Sequence, residues 1–328
     1  MSPGALRYLL LPALLLISLK PAKAQDDTAT LKIGDSTIQV TLPGESMKLS
    51  RDELLGWVKG AANAVMTYYG RFPVPHLTLK IRSGYGSGIH HGVTYARDGG
   101  LILISVGRDA DVAHTKDDWV LIHEMIHLAF PSMPDDQHWI EEGISTYVEP
   151  VARVRVGLMP LDELWRTWIR DMPKGEPGSG DEGLDNTHTW GRTYWGGAMF
   201  CLVADVRIRE RTGNRKGLQD ALRGILNGGG NINEDWEIGK ALALGDKATG
   251  TTVLQSLYKE MRDKAAPVDL DQLWKKLGVE WNEGSLNFND KAPEAVIRKS
   301  IALLPTAAAS QKSRSQKKQD AQAGRPAN

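Results

Sequence analysis

Leu121-Ile122-His123-Glu124-Met125-Ile126-His127 is the stretch on which the reading of this chain turns. Around its three polar side chains stand Trp119, Val120, Leu121, Ile122, Met125, Ile126, Leu128, Ala129 and Phe130, almost all apolar. Such a run predicts a buried helix, introduced by the acidic Asp117 and Asp118 and stopped before Pro131. His123, Glu124 and His127 fall at i, i+1 and i+4. That spacing sets the two imidazoles one turn apart on a single face, where both can reach one metal ion. Glu124 stands beside them, placed to take a proton from a metal-bound water. Core histidines bonded to backbone carbonyls would leave the same five letters, so the next element has to separate the two readings.

That element is Trp139-Ile140-Glu141-Glu142-Gly143-Ile144-Ser145-Thr146-Tyr147-Val148-Glu149, a second helix, with Glu142 fifteen residues beyond His127. The short connection from Pro131 to Gln137 lets it fold back on the first. Glu142 can then supply a third, carboxylate ligand and leave the fourth position to water, as an open catalytic zinc site requires. Thr146 and Glu149 follow at i+4 and i+7 on the same face, where they are expected to support the ligating histidines from behind. The metal reading outweighs the core-histidine one.

Three ordered stretches, HEMIH (residues 123–127), WIEEGISTYVE (residues 139–149) and TYWGGAMF (residues 193–200), resemble the gluzincin metallopeptidases, specifically the aminopeptidase N and glycyl aminopeptidase branches. The resemblance covers roughly residues 80 to 300. It implies an α+β fold, a thermolysin-like zincin with a small mixed-sheet lobe, a mainly helical lobe and a zinc cleft between them. It implies one Zn²⁺ per chain held by His123, His127 and Glu142, with Glu124 as general base. The family's Tyr-x-x-Gly element would put oxyanion stabilisation on Tyr194, with Gly197 closing the motif. An ordinary helix-start aromatic is the plainer account of Tyr194.

One departure bears on specificity. Aminopeptidase N relatives carry a G-x-M-E-N element before the zinc helix, whose glutamate holds the substrate's free amino group. The comparable stretch here, Gly88-Ile89-His90-His91-Gly92, has no carboxylate, so the choice between endo- and aminopeptidase cleavage stays open. His90 and His91 are candidates for lining the substrate cleft, against an ordinary surface loop, and Glu141 is the alternative amine anchor. Leu101–Val106 reads as a strand. In the resembled family a strand here is the sheet edge to which an extended peptide adds, whereas an interior strand would show the same pattern.

The chain begins with Arg7, an apolar run from Leu9 to Leu19, and Ala22-Lys23-Ala24 before Gln25. A charged start, a short hydrophobic core and an A-x-A site read as a secretory signal peptide over residues 1–24. The run is short for a membrane span, and the mature chain is expected to be periplasmic or secreted, with no transmembrane segment. Cleavage leaves about 300 of the 328 residues, enough for a substantial core and two lobes, read as 25–115 and 116–305. The 40 basic and 40 acidic residues cancel and no basic patch is interleaved with aromatics, so nucleic acid is not an expected partner. The one cysteine, Cys201, excludes an intramolecular disulfide framework and sits in an apolar helical stretch.

Residues 30 to 42 alternate as a small hairpin around Gly34-Asp35-Ser36. Ser50-Arg51-Asp52-Glu53 is a capping box opening a helix up to Gly70, and His76 to Arg82 alternates as a strand before a glycine-rich turn. Leu161, Leu164, Trp165, Trp168 and Ile169 form an amphipathic helical face, read as packing. Residues 172 to 191 are rich in Gly, Pro and Asp and long for a connection, and are read as a flap or cleft wall, with His188 a candidate substrate contact. Further helices are expected at Tyr194–Arg211 and around Leu218–Leu226, Thr252–Met261 and Leu270–Leu277. From 306 to 328 the chain lacks large apolar residues and reads as a disordered, mildly basic tail.

These readings converge on an exported zinc metallopeptidase acting on a peptide or protein substrate. A non-catalytic envelope module binding peptides or a partner on the same fold is the competing class, and a non-peptide substrate for the same zinc chemistry is a third. Oligomeric state is not written in this sequence.

Overall fold

The computed structural model describes residues 27 to 302, apart from residue 283. The segment read as a signal peptide and the C-terminal tail lie outside the described residues. Strands β1 (Asp27–Ile33) and β2 (Ser36–Leu42) form the expected hairpin, paired antiparallel from Asp27↔Leu42 to Ile33↔Ser36. Helix α1 (Arg51–Tyr69) begins at the Ser50 capping box, where Ser50 accepts from the Glu53 N–H and Glu53 from the Ser50 N–H. It ends at Gly70, whose φ of 84° is the left-handed cap that glycine adopts without strain. This helix is the crossover that brings β3 (His76–Gly84) parallel to β2.

Next come β4 (Ile89–Tyr95) and β5 (Leu101–Gly107), and the five-stranded sheet has the order β1-β2-β3-β5-β4. The strand expected over Leu101–Val106 is therefore interior, parallel to β3 on one side and antiparallel to β4 on the other. The edge is β4, which the glycine-rich reading of this stretch missed. Ile38, Val40, Leu77, Leu79, Ile102 and Ile104 from the sheet, and Val58, Ala62 and Val65 from α1, belong to one continuous buried core.

After a short helix α2 (Val112–Asp117), Asp118 caps α3 (Val120–His127), accepting from the Val120 and Leu121 N–H groups at 2.8 and 3.2 Å and from Trp57 Nε1 at 3.0 Å. Helix α4 (His138–Arg155) follows the proline-containing connection and runs through Pro150. The connection is pinned by Ser132, whose N–H donates to Glu234 O and whose carbonyl accepts from the Trp236 N–H. Helix α5 (Leu161–Asp171) buries Leu164, Trp165 and Trp168 as its amphipathic pattern requires, and Trp168 stacks on Tyr147 at 4.9 Å.

Helices α6 (Gly197–Thr212), α7 (Leu218–Asn227), α8 (Ile238–Thr249), α9 (Val253–Met261) and α10 (Leu270–Leu277) make up most of the remainder. The small hairpin β6 (Val279–Asn282) and β7 (Ser285–Phe288) and helix α11 (Ala295–Ala302) complete it. The architecture is a mixed five-stranded sheet followed by a mainly helical part. No helix among the described residues is long and apolar enough to cross a membrane.

Candidate metal centre

Helix α3 presents His123 and His127 from one face, their ring centroids 5.0 Å apart. Folded back against it, α4 inserts Glu142 between them. Glu142 Oε2 lies 3.0 Å from His123 Nε2 and 3.7 Å from His127 Nε2. The three residues are the metal-competent group among those described, with one donor atom from each inside a 4.8 Å span. A tetrahedral zinc with bonds of about 2.0–2.1 Å sets its ligand atoms about 3.4 Å apart. The donor set therefore fits zinc in chemistry, and the two distances to Glu142 bracket that spacing.

The electrostatics favour the same use. Burial, reinforced by His123, pushes the His127 pKa down to about 3, so the ring is neutral with a lone pair to give. Burial alone would raise the Glu142 carboxyl, but bonds from His123 and His138 outweigh it and hold the group well below its ordinary range. His138, which sequence reasoning missed, faces Glu142 Oε1 with Nε2 at 3.1 Å and Glu141 with Nδ1 at 2.7 Å. It fixes the carboxylate oxygen turned away from the histidine pair. The signal was present in the His138-x-x-Glu141-Glu142 spacing, which puts both acids within one turn of the histidine on a helix.

Glu124 sits on the sheet side of α3. Thr94 Oγ1, on the edge strand β4, lies 2.6 Å from its Oε2 and 3.0 Å from its backbone carbonyl. Burial raises the Glu124 carboxyl above its usual range, with the Thr94 bond opposing the shift. The close approach needs Gly92, because a Cβ there would lie 2.5 Å from Glu124 Cγ. That requirement explains why β4 did not read as a strand: the residue that lets it pass over Glu124 is one that breaks strand patterns.

Tyr194 comes from a π-helical turn, Gly191–Gly196, leading into α6, and its ring lies 6.2 Å from that of His123, stacked at 22°. Burial and the Glu142 and Glu124 carboxylates push its hydroxyl up to about 12, so it stays protonated and able to donate. The turn is locked onto α4 through two glycines. A Cβ on Gly143 would lie 2.3 Å from Gly197 Cα, and one on Gly197 2.3 Å from the Trp139 carbonyl oxygen. The glycines beside Glu142 and after Tyr194 are thus two halves of one helix crossing.

Residues 172 to 191 form a pinned wall. Arg192 pairs with Asp181 at 2.7 Å, the Leu184 N–H donates to Met261 O at 2.9 Å, and Asp185 accepts from Trp139 Nε1 and the Tyr258 hydroxyl at 2.8 and 2.6 Å. Those bonds anchor the segment at Asp181, Leu184 and Asp185. His188 is exposed and apart from the metal group, whereas His90 and His91 are exposed on the edge strand, with His91 close enough for its charge to act on Glu124. Glu141 is turned into the α3–α4 connection, bonded to His138 and the Met133 N–H, rather than free to anchor an amine. Glu149 bonds Arg153 at 3.3 Å rather than either histidine, and with Thr146 it lines a cavity of about 540 Å³ that opens beside His123 and Tyr194.

The fold has counterparts among solved structures. It is similar to an aminopeptidase N family protein from Idiomarina loihiensis, 11% identical over 81% of this chain and 53% of that one, with a TM-score of 0.59. An M1 zinc metallopeptidase from Deinococcus radiodurans matches 74% of this chain and 52% of its own at 14% identity and a TM-score of 0.47. The chain spans about half the length of the solved structures it matches. No protein-family model matches the sequence, and no curated protein does.

Proposed function

We propose that the protein is an exported zinc-dependent peptidase of thermolysin-like architecture, with its metal cleft between the sheet (residues 25–115) and the helical part (residues 116–305). The observation that carries the reading is the joint placement of two groups. His123, His127 and Glu142 converge within 4.8 Å, and Glu124 stands on the next residue with its carboxylate held by Thr94. Export rests on the N-terminal sequence pattern.

A zinc ion held by His123, His127 and Glu142 would acidify a water and polarise the scissile carbonyl. Glu124, buried and with a raised pKa, is suited to accept the proton of the attacking water and return it to the leaving amine. Thr94 fixes the carboxylate so that little reorganisation is needed. Tyr194, still protonated at neutral pH, would donate a hydrogen bond to the developing oxyanion. An extended substrate can add to the unpaired edge of β4, the strand that lies over Glu124. No side chain of β4 is a carboxylate, so that strand offers no charge partner for a free substrate amine.

The test is Glu124→Gln. The variant is expected to bind zinc as the wild type does while hydrolysis of a peptide library falls by several orders of magnitude. Near-normal turnover would overturn the assignment of Glu124.

A further inference from the structure

Beside the metal group the protein holds a cavity of about 540 Å³. His123 and Tyr194 are among its lining residues, so a group bound there lies close to the metal group. The volume falls within the range of sites that enclose a drug-sized ligand, enough for a large side chain and part of the next residue.

The mouth carries two tryptophans that the fold leaves open. Trp119 is 52% exposed and meets the His123 ring edge-on at 5.6 Å; Trp190 is 60% exposed and stacks on Tyr194 at 5.7 Å. Neither indole is needed to close the core, since Trp139, Trp165 and Trp168 already fill it at 2% exposure or less. Two large aromatics, one against the His123 ring and one against Tyr194, both lining the cavity, offer apolar surface to an incoming ring. Leu158, Met159, Pro150 and Pro160 extend the apolar wall.

The charged lining is mostly spent on itself. Arg153 is bonded to Glu149 at 3.3 Å, and Asp171 takes both Arg170 and Lys174, at 2.6 and 2.7 Å. Among the described residues, Asp117 and Glu163 line the cavity without an ion-pair partner. With Asp117, Glu149, Glu163 and Asp171 against Arg153, Arg170 and Lys174, the lining holds more acidic than basic side chains, so an entering carboxylate meets like charges at Asp117 and Glu163. An aromatic side chain would find two indoles.

We infer that this cavity is the substrate side-chain subsite and that it selects a large aromatic residue next to the scissile bond while rejecting acidic ones. The inference deepens the peptidase reading and rests on it for its kinetic arm, whereas its binding arm stands alone. In the kinetic arm, blocked peptides identical except at the two residues flanking one bond carry Phe, Trp, Ala, Lys or Glu there. At one of the two positions, kcat/KM is expected to be at least 100-fold higher for Phe or Trp than for Ala, and lowest for Glu, because even one methylene in a fitted pocket is worth about 10-fold or more. Trp119→Ala and Trp190→Ala should each cut the Phe-over-Ala ratio at least fivefold.

In the binding arm, the zinc-loaded Glu124→Gln protein is titrated with the Phe and Ala peptides by tryptophan fluorescence. Tighter binding of the Phe peptide by tenfold or more, lost in Trp119→Ala, would support the subsite even if the wild type cleaved no peptide, a result that would sink the peptidase reading alone. Equal affinities, or a Phe preference untouched by both tryptophan variants, would overturn the subsite.

Discussion

Gly197→Ala adds a single methyl group and should cost far more than its size suggests. The new Cβ would stand 2.3 Å from the Trp139 carbonyl oxygen and 2.7 Å from Gly143 Cα, where ordinary contact begins at 3.4 Å. Both obstacles are α4 backbone, so no side chain can swing aside. The crossing of α4 and α6 has to open by about 1 Å. Gly143 follows Glu142 directly, and Gly197 follows the π-helical turn that carries Tyr194, so the opening separates Tyr194 from the metal group. Overpacking of this kind lowers stability by about 1–3 kcal/mol. A misplacement near 1 Å of a group acting on the reacting atoms lowers kcat by about 100-fold. Zinc should stay bound, because α3 and the His123–His127–Glu142 group lie on the unshifted side of the crossing. Thermal melting, zinc competition against a chelator and steady-state kinetics on one good peptide separate these effects. Loss of stability with an undiminished kcat would refute the claim that this crossing sets Tyr194. An unchanged melting temperature would refute the tight approach itself.

Two further outcomes follow from single contacts. Tyr194→Phe should keep zinc and KM near wild type while kcat drops by about 10²–10³, the usual loss of one oxyanion donor, and an unchanged kcat would remove Tyr194 from the mechanism. His138→Leu removes the donor 3.1 Å from Glu142 Oε1 and should weaken zinc binding by about 10–100-fold in a competition titration, with His138→Gln recovering part of it. Equal zinc affinity in all three proteins would show that Glu142 needs no such support.

The convergence of His123, His127 and Glu142 was legible because its information is local. A helix with two histidines at i and i+4, a short connection and a second helix leave little freedom in where Glu142 can go, and the structure brings it between the two rings. The Ser50 capping box and the β1–β2 hairpin are equally local, and each occurs where the pattern put it. What escaped depends on neighbours distant in sequence. Alternation in Leu101–Gly107 marks a strand but cannot say whether another strand lies outside it. Here one does, and it was hidden because Gly92 must make room for Glu124. Glu149 lies on the correct helix face, yet Arg153, one turn further along, claims it before either histidine can. Residues 172 to 191 read as a flap or cleft wall by composition, but their anchors, Trp139, Tyr258 and Met261, come from elements far away in the chain and are not written in that composition.

The central claim is a three-ligand zinc site, and its most direct test is the metal content of the purified protein. Wild type prepared without chelator or affinity metal is measured beside Glu142→Ala. About one zinc per chain in the wild type, weakened or lost in the variant, is the expected result. A wild type that carries no zinc and takes up none on titration at neutral pH would contradict the account and leave the fold without its proposed chemistry.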